Sequence, residues 1–109
     1  MRWFFIWLLI DAGSLRTEYP PQQQIVEAAS EYPWPVVESL SVAWCESYHH
    51  PRAFNGVDNG AWQINQNYWG SRIFGRLWEK RFEIPANAAM AFHIWSVNEN
   101  FLWWSCGRK

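Results

Sequence analysis

The chain has 109 residues, half of them hydrophobic, and a formal net charge of −1. That length points to one domain built on one modest core, and the composition is that of a globular chain rather than a disordered one. So small a net charge supplies no field that would favour nucleic acid or another acidic polymer as the partner.

Taken in chain order, Met1 and Arg2 precede an apolar run from Trp3 to Ile10, and the small residues Ala12, Gly13 and Ser14 follow. Residues 1–14 read as a short secretory signal; the alternative is a hydrophobic first strand or helix of the fold. The run of eight apolar residues is short of the roughly 20 that cross a bilayer, so no stable membrane insertion is expected. Residues 15–21, with Tyr19-Pro20-Pro21, read as a linker, and residues 22–109 as the folded domain. From Gln22 to Tyr32 the pattern is helical, with Ile25, Val26, Ala28 and Ala29 on one side. Pro33-Trp34-Pro35 breaks it, and Pro35 suits the first turn of a second helix running to about Ser47, with Val36, Val37, Leu40, Ala43 and Trp44 on its buried face. Turn formers dominate from Tyr48 to Gly60, and Asn55-Gly56 is a signal for a tight hairpin turn. Residues 61–69 read as a turn leading into a helix, Arg72 to Phe82 as helical with Ile73, Leu77 and Phe82 on the apolar side, and Pro85 to about Asn98 as a last helix with Ala88, Ala91, Phe92 and Trp95 inward. The expected fold is mainly α, with a small β-hairpin or loop element.

Several features invite chemistry. Glu46 falls in the last turn of the second helix, where the helix dipole prefers cations; such local rule-breaking marks functional sites, although a solvated helix-end Glu is common. Ten Trp residues are more than a core of this size needs, and each buried indole N–H requires a partner. Some of these rings are therefore expected in a binding surface, where flat aromatic faces suit the apolar faces of sugars; the alternative is that they fill the core. Charge is uneven: residues 1–71 carry three basic and seven acidic groups, and residues 72–109 carry six basic and three acidic. The basic end (Arg72, Arg76, Lys80, Arg81, Arg108, Lys109) suits an anionic cell wall or is simply a solvated helix face. Cys45 and Cys106 either stay as two buried thiols or form one disulfide, worth roughly 3–4 kcal/mol in the chain-entropy model; the signs of export favour the disulfide. The pair His49-His50 has no third ligand at motif spacing, so no metal is expected. A cysteine hydrolase built on Cys45 and His49 would leave the block around Gln63 without a role.

The stretch from Cys45 to Trp69 carries a pattern in order: Glu46-Ser47, then Pro51 and Ala53-Phe54-Asn55, then Gly60-Ala61-Trp62-Gln63-Ile64-Asn65. It resembles the core of the lysozyme superfamily, including the lytic transglycosylases, whose shared pattern is Glu-Ser at a helix end, a loop with Pro and Ala-x-Asn, and Gly-x-x-Gln-Ile-Asn. Pro85-x-Asn87 before a helix ending at Trp95, and Trp103-Trp104-Ser105-Cys106, resemble the later part of small secreted bacterial members. The resemblance spans roughly residues 36–106. Tyr48 stands where many members have Gly, and Ala61 where Leu or Ile is frequent.

The resemblance implies a lysozyme-like domain with a cleft, secreted or cell-wall associated, acting as a monomer on peptidoglycan and needing no cofactor. It implies cleavage between N-acetylmuramic acid and N-acetylglucosamine by hydrolysis or by lytic transglycosylation, or else a non-catalytic glycan-binding module on the same fold. Breaking a glycosidic bond requires an acid that protonates its oxygen, and apolar surroundings keep a carboxyl protonated. Glu46, between Trp44 and Tyr48, is the expected acid. Asp58, before Asn59-Gly60, is the candidate second carboxylate; it is equally a turn former, and a transglycosylase, assisted by the substrate's own N-acetyl group, would not need it. Ser47, Asn55, Trp62, Gln63, Asn65 and Tyr68 are the expected substrate-binding residues, with Trp62 the ring expected to reach the cleft and Asn65 the amide more open to a turn-capping role.

Overall fold

Pro21 opens the first element of the computed structural model, which describes residues 21–109. The secretory-signal reading of residues 1–14 and the linker up to residue 20 lie outside the described residues; Pro21, assigned to the linker, is instead the first residue of a helix. The elements are α1 (Pro21–Ala29), α2 (Val36–Ser47), β1 (Asp58–Asn59), β2 (Ile64–Asn65), α3 (Gly70–Phe74), a 3-10 stretch (Gly75–Lys80), α4 (Ile84–Asn98) and a closing 3-10 turn (Cys106–Arg108). The architecture is mainly helical with one small antiparallel sheet, in which Asp58 lies opposite Asn65 and Asn59 opposite Ile64. Phe54 forms a further antiparallel bridge to Asn59.

The helices start and stop for local reasons. Pro35 is extended at the head of α2 and its carbonyl accepts the first helical bond, from Ser39 N–H at 2.9 Å. The helix ends where Tyr48 turns left-handed at φ 54° and its N–H returns to the Trp44 carbonyl. That leaves Glu46 in the last turn. In α4, Pro85 sits in the first turn, where a missing N–H costs nothing, and Glu99 closes the helix with the same left-handed cap at φ 58°.

The core gathers on α4. Ala88, Met90 and Ala91 are fully buried, with Ile94 at their side, and Ile25 and Ala29 of α1 join the same cluster. Small residues on α4 let neighbours approach closely. The aromatic residues pack around them: Tyr32 stacks on Phe92 at 4.7 Å, Phe92 on Trp95 at 5.8 Å, and Trp34 meets Phe92 edge-on at 5.7 Å.

Two expected elements differ. The buried face of α2 is Ser39, Val42, Ala43 and Ser47; Val37 is 82% exposed and Trp44 half exposed. Besides the apolar contacts of Val42 and Ala43, this helix makes close polar contacts: the indole N–H of Trp62 reaches the Ser39 carbonyl and hydroxyl, and the Ser47 hydroxyl donates to the Ala61 carbonyl at 2.6 Å. Small hydroxylic residues permit that approach, and of the residues expected inward Val37 and Trp44 turn outward while Ala43 is buried and Val36 and Leu40 pack against the core. The helix expected from Arg72 to Phe82 is split at Gly75, whose φ of 58° and ψ of −131° lie outside the range of other residues. Ile73, assigned inward, is 45% exposed as a result.

Candidate active site

The end of α2, the sheet and the C-terminal tail together enclose a cleft of about 420 Å³. Glu46, Asp58, Gln63, Asn65 and Tyr68 line it, as do Leu102, Trp103 and Arg108 from the tail. Glu46 is half-buried, and its Oε2 accepts the backbone N–H of Cys106 at 3.0 Å. Cys106 is also bridged to Cys45, the residue before Glu46 in sequence, so the disulfide that export signs favoured is formed, with Cα atoms 6.0 Å apart.

Asp58 opens β1 at the other side of the cleft. Asn55 organises the turn that leads to it: Asn55 Oδ1 accepts the N–H groups of Val57 at 2.9 Å and Asp58 at 2.7 Å, and its Nδ2 donates to Asp58 Oδ2 at 3.1 Å. The tight turn expected at Asn55-Gly56 is therefore present, with Gly56 at φ 99°. Asn55 itself is absent from the cleft lining; its side chain is spent on this turn and on Asp58.

Gln63 takes a left-handed backbone at φ 50° at the hairpin loop. Its Nε2 donates to the carbonyls of Ala53 at 3.1 Å and Gly60 at 3.0 Å. Two carbonyl acceptors fix which end of the amide is which, and Oε1 stays uncommitted among the described residues. Asn65 is the converse: its Oδ1 accepts the N–H groups of Asn67 at 2.8 Å and Tyr68 at 3.2 Å, which leaves Nδ2 free to donate. The floor thus offers one spare acceptor and one spare donor. Above it, Tyr68 is 65% exposed and Trp103 44%, the latter set edge-on against Trp69 at 5.4 Å.

Besides Asn55, two more residues expected to bind substrate lie outside the cleft lining. Trp62 is wholly buried in the core, its N–H satisfied by Ser39, because the left-handed Gln63 that follows carries the chain out to the cleft while Trp62 points in. Ser47 is also buried, its hydroxyl bonded to the carbonyls of Ala43 and Ala61, and it ties α2 to the hairpin. His49 is buried as well, donating from Nε2 to the Leu40 carbonyl at 2.9 Å, away from His50, which is exposed.

Behind the cleft, a buried polar cluster locks the hairpin to α4. Asn87 Oδ1 accepts the N–H of Trp62 at 2.8 Å, and its Nδ2 donates to the carbonyls of Asn59 at 3.0 Å and Arg81 at 2.9 Å. Asn59 donates to Val57, Ile64 and Gln66 and accepts from Arg81 Nε at 3.0 Å. Gly60 must lack a side chain here: a Cβ would run into the Asn87 amide and come 2.9 Å from the Arg81 carbonyl oxygen, at a φ of 82°. The expected role of Asn87 was confined to a resemblance of pattern; its spacing after Pro85 was the only sign of it. Trp103 and Arg108 were passed over as cleft residues, although the Trp103-Trp104 doublet held a clue. Both rings line the cleft, but Trp104 is buried, its indole donating to the Trp62 carbonyl at 2.6 Å, while Trp103 is 44% exposed.

Compared with known proteins, the chain matches no family model, no curated protein and no solved structure. Among the described residues no helix is long and apolar enough to cross a membrane.

Proposed function

We propose that the chain cleaves the glycan strands of peptidoglycan between N-acetylmuramic acid and N-acetylglucosamine, with Glu46 as the general acid. The observation that carries this reading is the cleft itself: a half-buried carboxylate and a second carboxylate in one groove with uncommitted amide groups and exposed rings. The acceptor left on Gln63 and the donor left on Asn65 suit the N–H and C=O of an acetamido group. Tyr68 and Trp103 offer faces for sugar rings, and Arg108 offers a cation to a carboxylate-bearing substrate.

In the proposed reaction Glu46 gives its proton to the glycosidic oxygen as the bond to the anomeric carbon breaks and the ring takes on oxocarbenium character. The cation is then met in one of two ways. Asp58 stabilises or attacks it, and water completes hydrolysis. Otherwise the substrate's N-acetyl group assists and the muramyl 6-hydroxyl closes a 1,6-anhydro ring, returning a proton to Glu46. Secretion to the cell wall goes with this reading; the disulfide is compatible with it.

The test is mass spectrometry of peptidoglycan products from the unmutated protein and from Glu46→Gln. The expected outcome is product from the first and a loss of at least about a hundredfold in the second, the scale on which general acids contribute. Reducing N-acetylmuramic acid ends identify hydrolysis and call Asp58 into the reaction; anhydro ends, lighter by one water, identify transglycosylation. Full activity in Glu46→Gln overturns the assignment of the acid, and bound glycan without any product leaves a non-catalytic binding module.

A further inference from the structure

We propose that the Cys45–Cys106 disulfide is a positioning device for Glu46, holding the Cys106 N–H on one oxygen of its carboxyl so that the other delivers the proton. The inference rests on the reading of Glu46 as the general acid. Its basis is a closed local circuit. Cys45 precedes Glu46 in the last turn of α2, Cys106 is bridged to Cys45, and the Cys106 N–H returns to Glu46 Oε2 at 3.0 Å. With Oε2 committed as an acceptor, a protonated Glu46 carries its hydrogen on Oε1, which has no partner among the described residues. The orientation of a proton donor is thereby set before substrate arrives, which is where such geometry contributes most to rate.

The circuit is separable from the rest of the tail. Phe101 and Trp104 are buried, and Trp104 is tied to the Trp62 carbonyl, so the tail is anchored up to residue 104 without help from the bridge. Beyond it, Cys106 packs against the core, and apart from the Cys106 N–H the 3-10 turn Cys106–Arg108 makes its backbone bonds within the tail: Gly107 N–H to Trp104 and Arg108 N–H to Ser105. Arg108 Nη1 also bonds only within the tail, to the Leu102 carbonyl at 2.8 Å. Cys45 is exposed and Cys106 half-buried, which gives a reductant access to the bridge. Opening it is expected to release the Cys106 N–H from Glu46 while the core stays packed.

The experiment compares the oxidised protein, the same protein reduced with dithiothreitol, and the Cys45→Ser/Cys106→Ser variant, by two readouts. The first is the backbone amide resonance at position 106, followed by NMR across the carboxyl titration range. It is expected to titrate in the oxidised protein, to stop titrating in oxidised Glu46→Gln, and to lose at least about half its amplitude once the bridge is open, since a hydrogen bond that lengthens weakens steeply. The second is turnover of soluble peptidoglycan oligosaccharides, where kcat is expected to fall by about tenfold or more with KM changed less than about twofold, the pattern of an interaction made in the transition state. A reduced protein that keeps its near-ultraviolet circular dichroism and its full kcat overturns the proposal. So does an amide at 106 that ignores Glu46→Gln, a comparison that keeps the bridge and holds even if the bridgeless chain does not fold. An oxidised protein that cleaves no glycan sinks the reading of Glu46 as an acid, and the amide readout then still decides whether the bridge fixes its carboxyl.

Discussion

The two sides of the cleft are built on different physics. The hairpin side, which carries Asp58, Gln63 and Asn65, is fixed from behind by a polar cluster: the buried Asn59 and Asn87 and the half-buried Arg81 satisfy one another and the hairpin backbone. The tail side, which carries Trp103 and Arg108, is fixed by two buried rings, Phe101 and Trp104, by one buried hydrogen bond from the Trp104 indole to the Trp62 carbonyl, and by one covalent bridge. A hydrogen-bonded cluster has stringent geometry, because each group left unpaired in the interior costs about 1–3 kcal/mol. Apolar anchors are non-directional and leave the residues beyond them freer. The hairpin side is thus the rigid floor, and the tail side is a wall whose last residues depend on the disulfide.

The largest expected effect falls on the hairpin side. Asn87→Ala removes the acceptor of Trp62 N–H and the donor to the Asn59 and Arg81 carbonyls. The expected loss is about 2–4 kcal/mol of stability, since several buried backbone groups lose their partner at once. In a domain of this size that lowers Tm by on the order of 10 °C or more, read by circular dichroism on heating. A loss below about 1 kcal/mol would mean that water replaces the Asn87 amide without penalty, and the contrast between the two sides would collapse.

Next in size is Trp103→Ala on the tail side. Trp103 is 44% exposed and touches Trp69 edge-on. Its removal is expected to weaken binding of peptidoglycan oligosaccharides by about five- to tenfold, on the order of 1 kcal/mol, while stability changes by less than about 0.5 kcal/mol, as for most surface substitutions. Calorimetric titration and thermal unfolding read the two terms separately. A large stability loss with unchanged binding would make Trp103 a second anchor of the tail rather than a contact surface.

The same contrast explains what was legible in the sequence. Elements governed by local rules were readable: α4 starts at Ile84, one residue before its Pro, and ends at Asn98, and α2 begins after Pro35 and ends at Ser47. The Asn55-Gly56 turn was readable for the same reason, whereas the pairing of the two Cys, 61 residues apart, was favoured by the signs of export and not by a local rule. What could not be read is direction set by distant backbone. Val37 and Trp44 looked like core residues by periodicity, yet Ser39 and Ser47 are the buried ones, because α2 packs on the backbone of Ala61 and on the Trp62 indole. The inward turn of Trp62 depends on the left-handed conformation of Gln63, a residue whose type gives no warning of it. The Glu46 contact is likewise made by a main-chain N–H sixty residues away, and a main-chain donor has no sequence signature.

Tyr48 gives the smallest effect and the sharpest control, because it caps the end of α2, which carries Glu46 and the bridged Cys45. It holds φ 54° and ψ 35° at the helix end, a conformation that suits Gly and costs other residues about 1 kcal/mol. Tyr48 is 73% exposed, and its ring contact is with Trp44, edge-on at 5.3 Å. Tyr48→Gly relieves the backbone and forfeits that contact, and it adds freedom to the unfolded chain. The expected net is a gain of about 0.5 kcal/mol, or two to four degrees in Tm, with kcat unchanged since the Cys106 N–H and the disulfide stay in place. A gain in stability accompanied by a fall in kcat would mean that the left-handed turn after Glu46 aims the carboxylate, and that the disulfide shares that task. A net loss of stability would mean that the exposed Trp44–Tyr48 contact outweighs the backbone penalty.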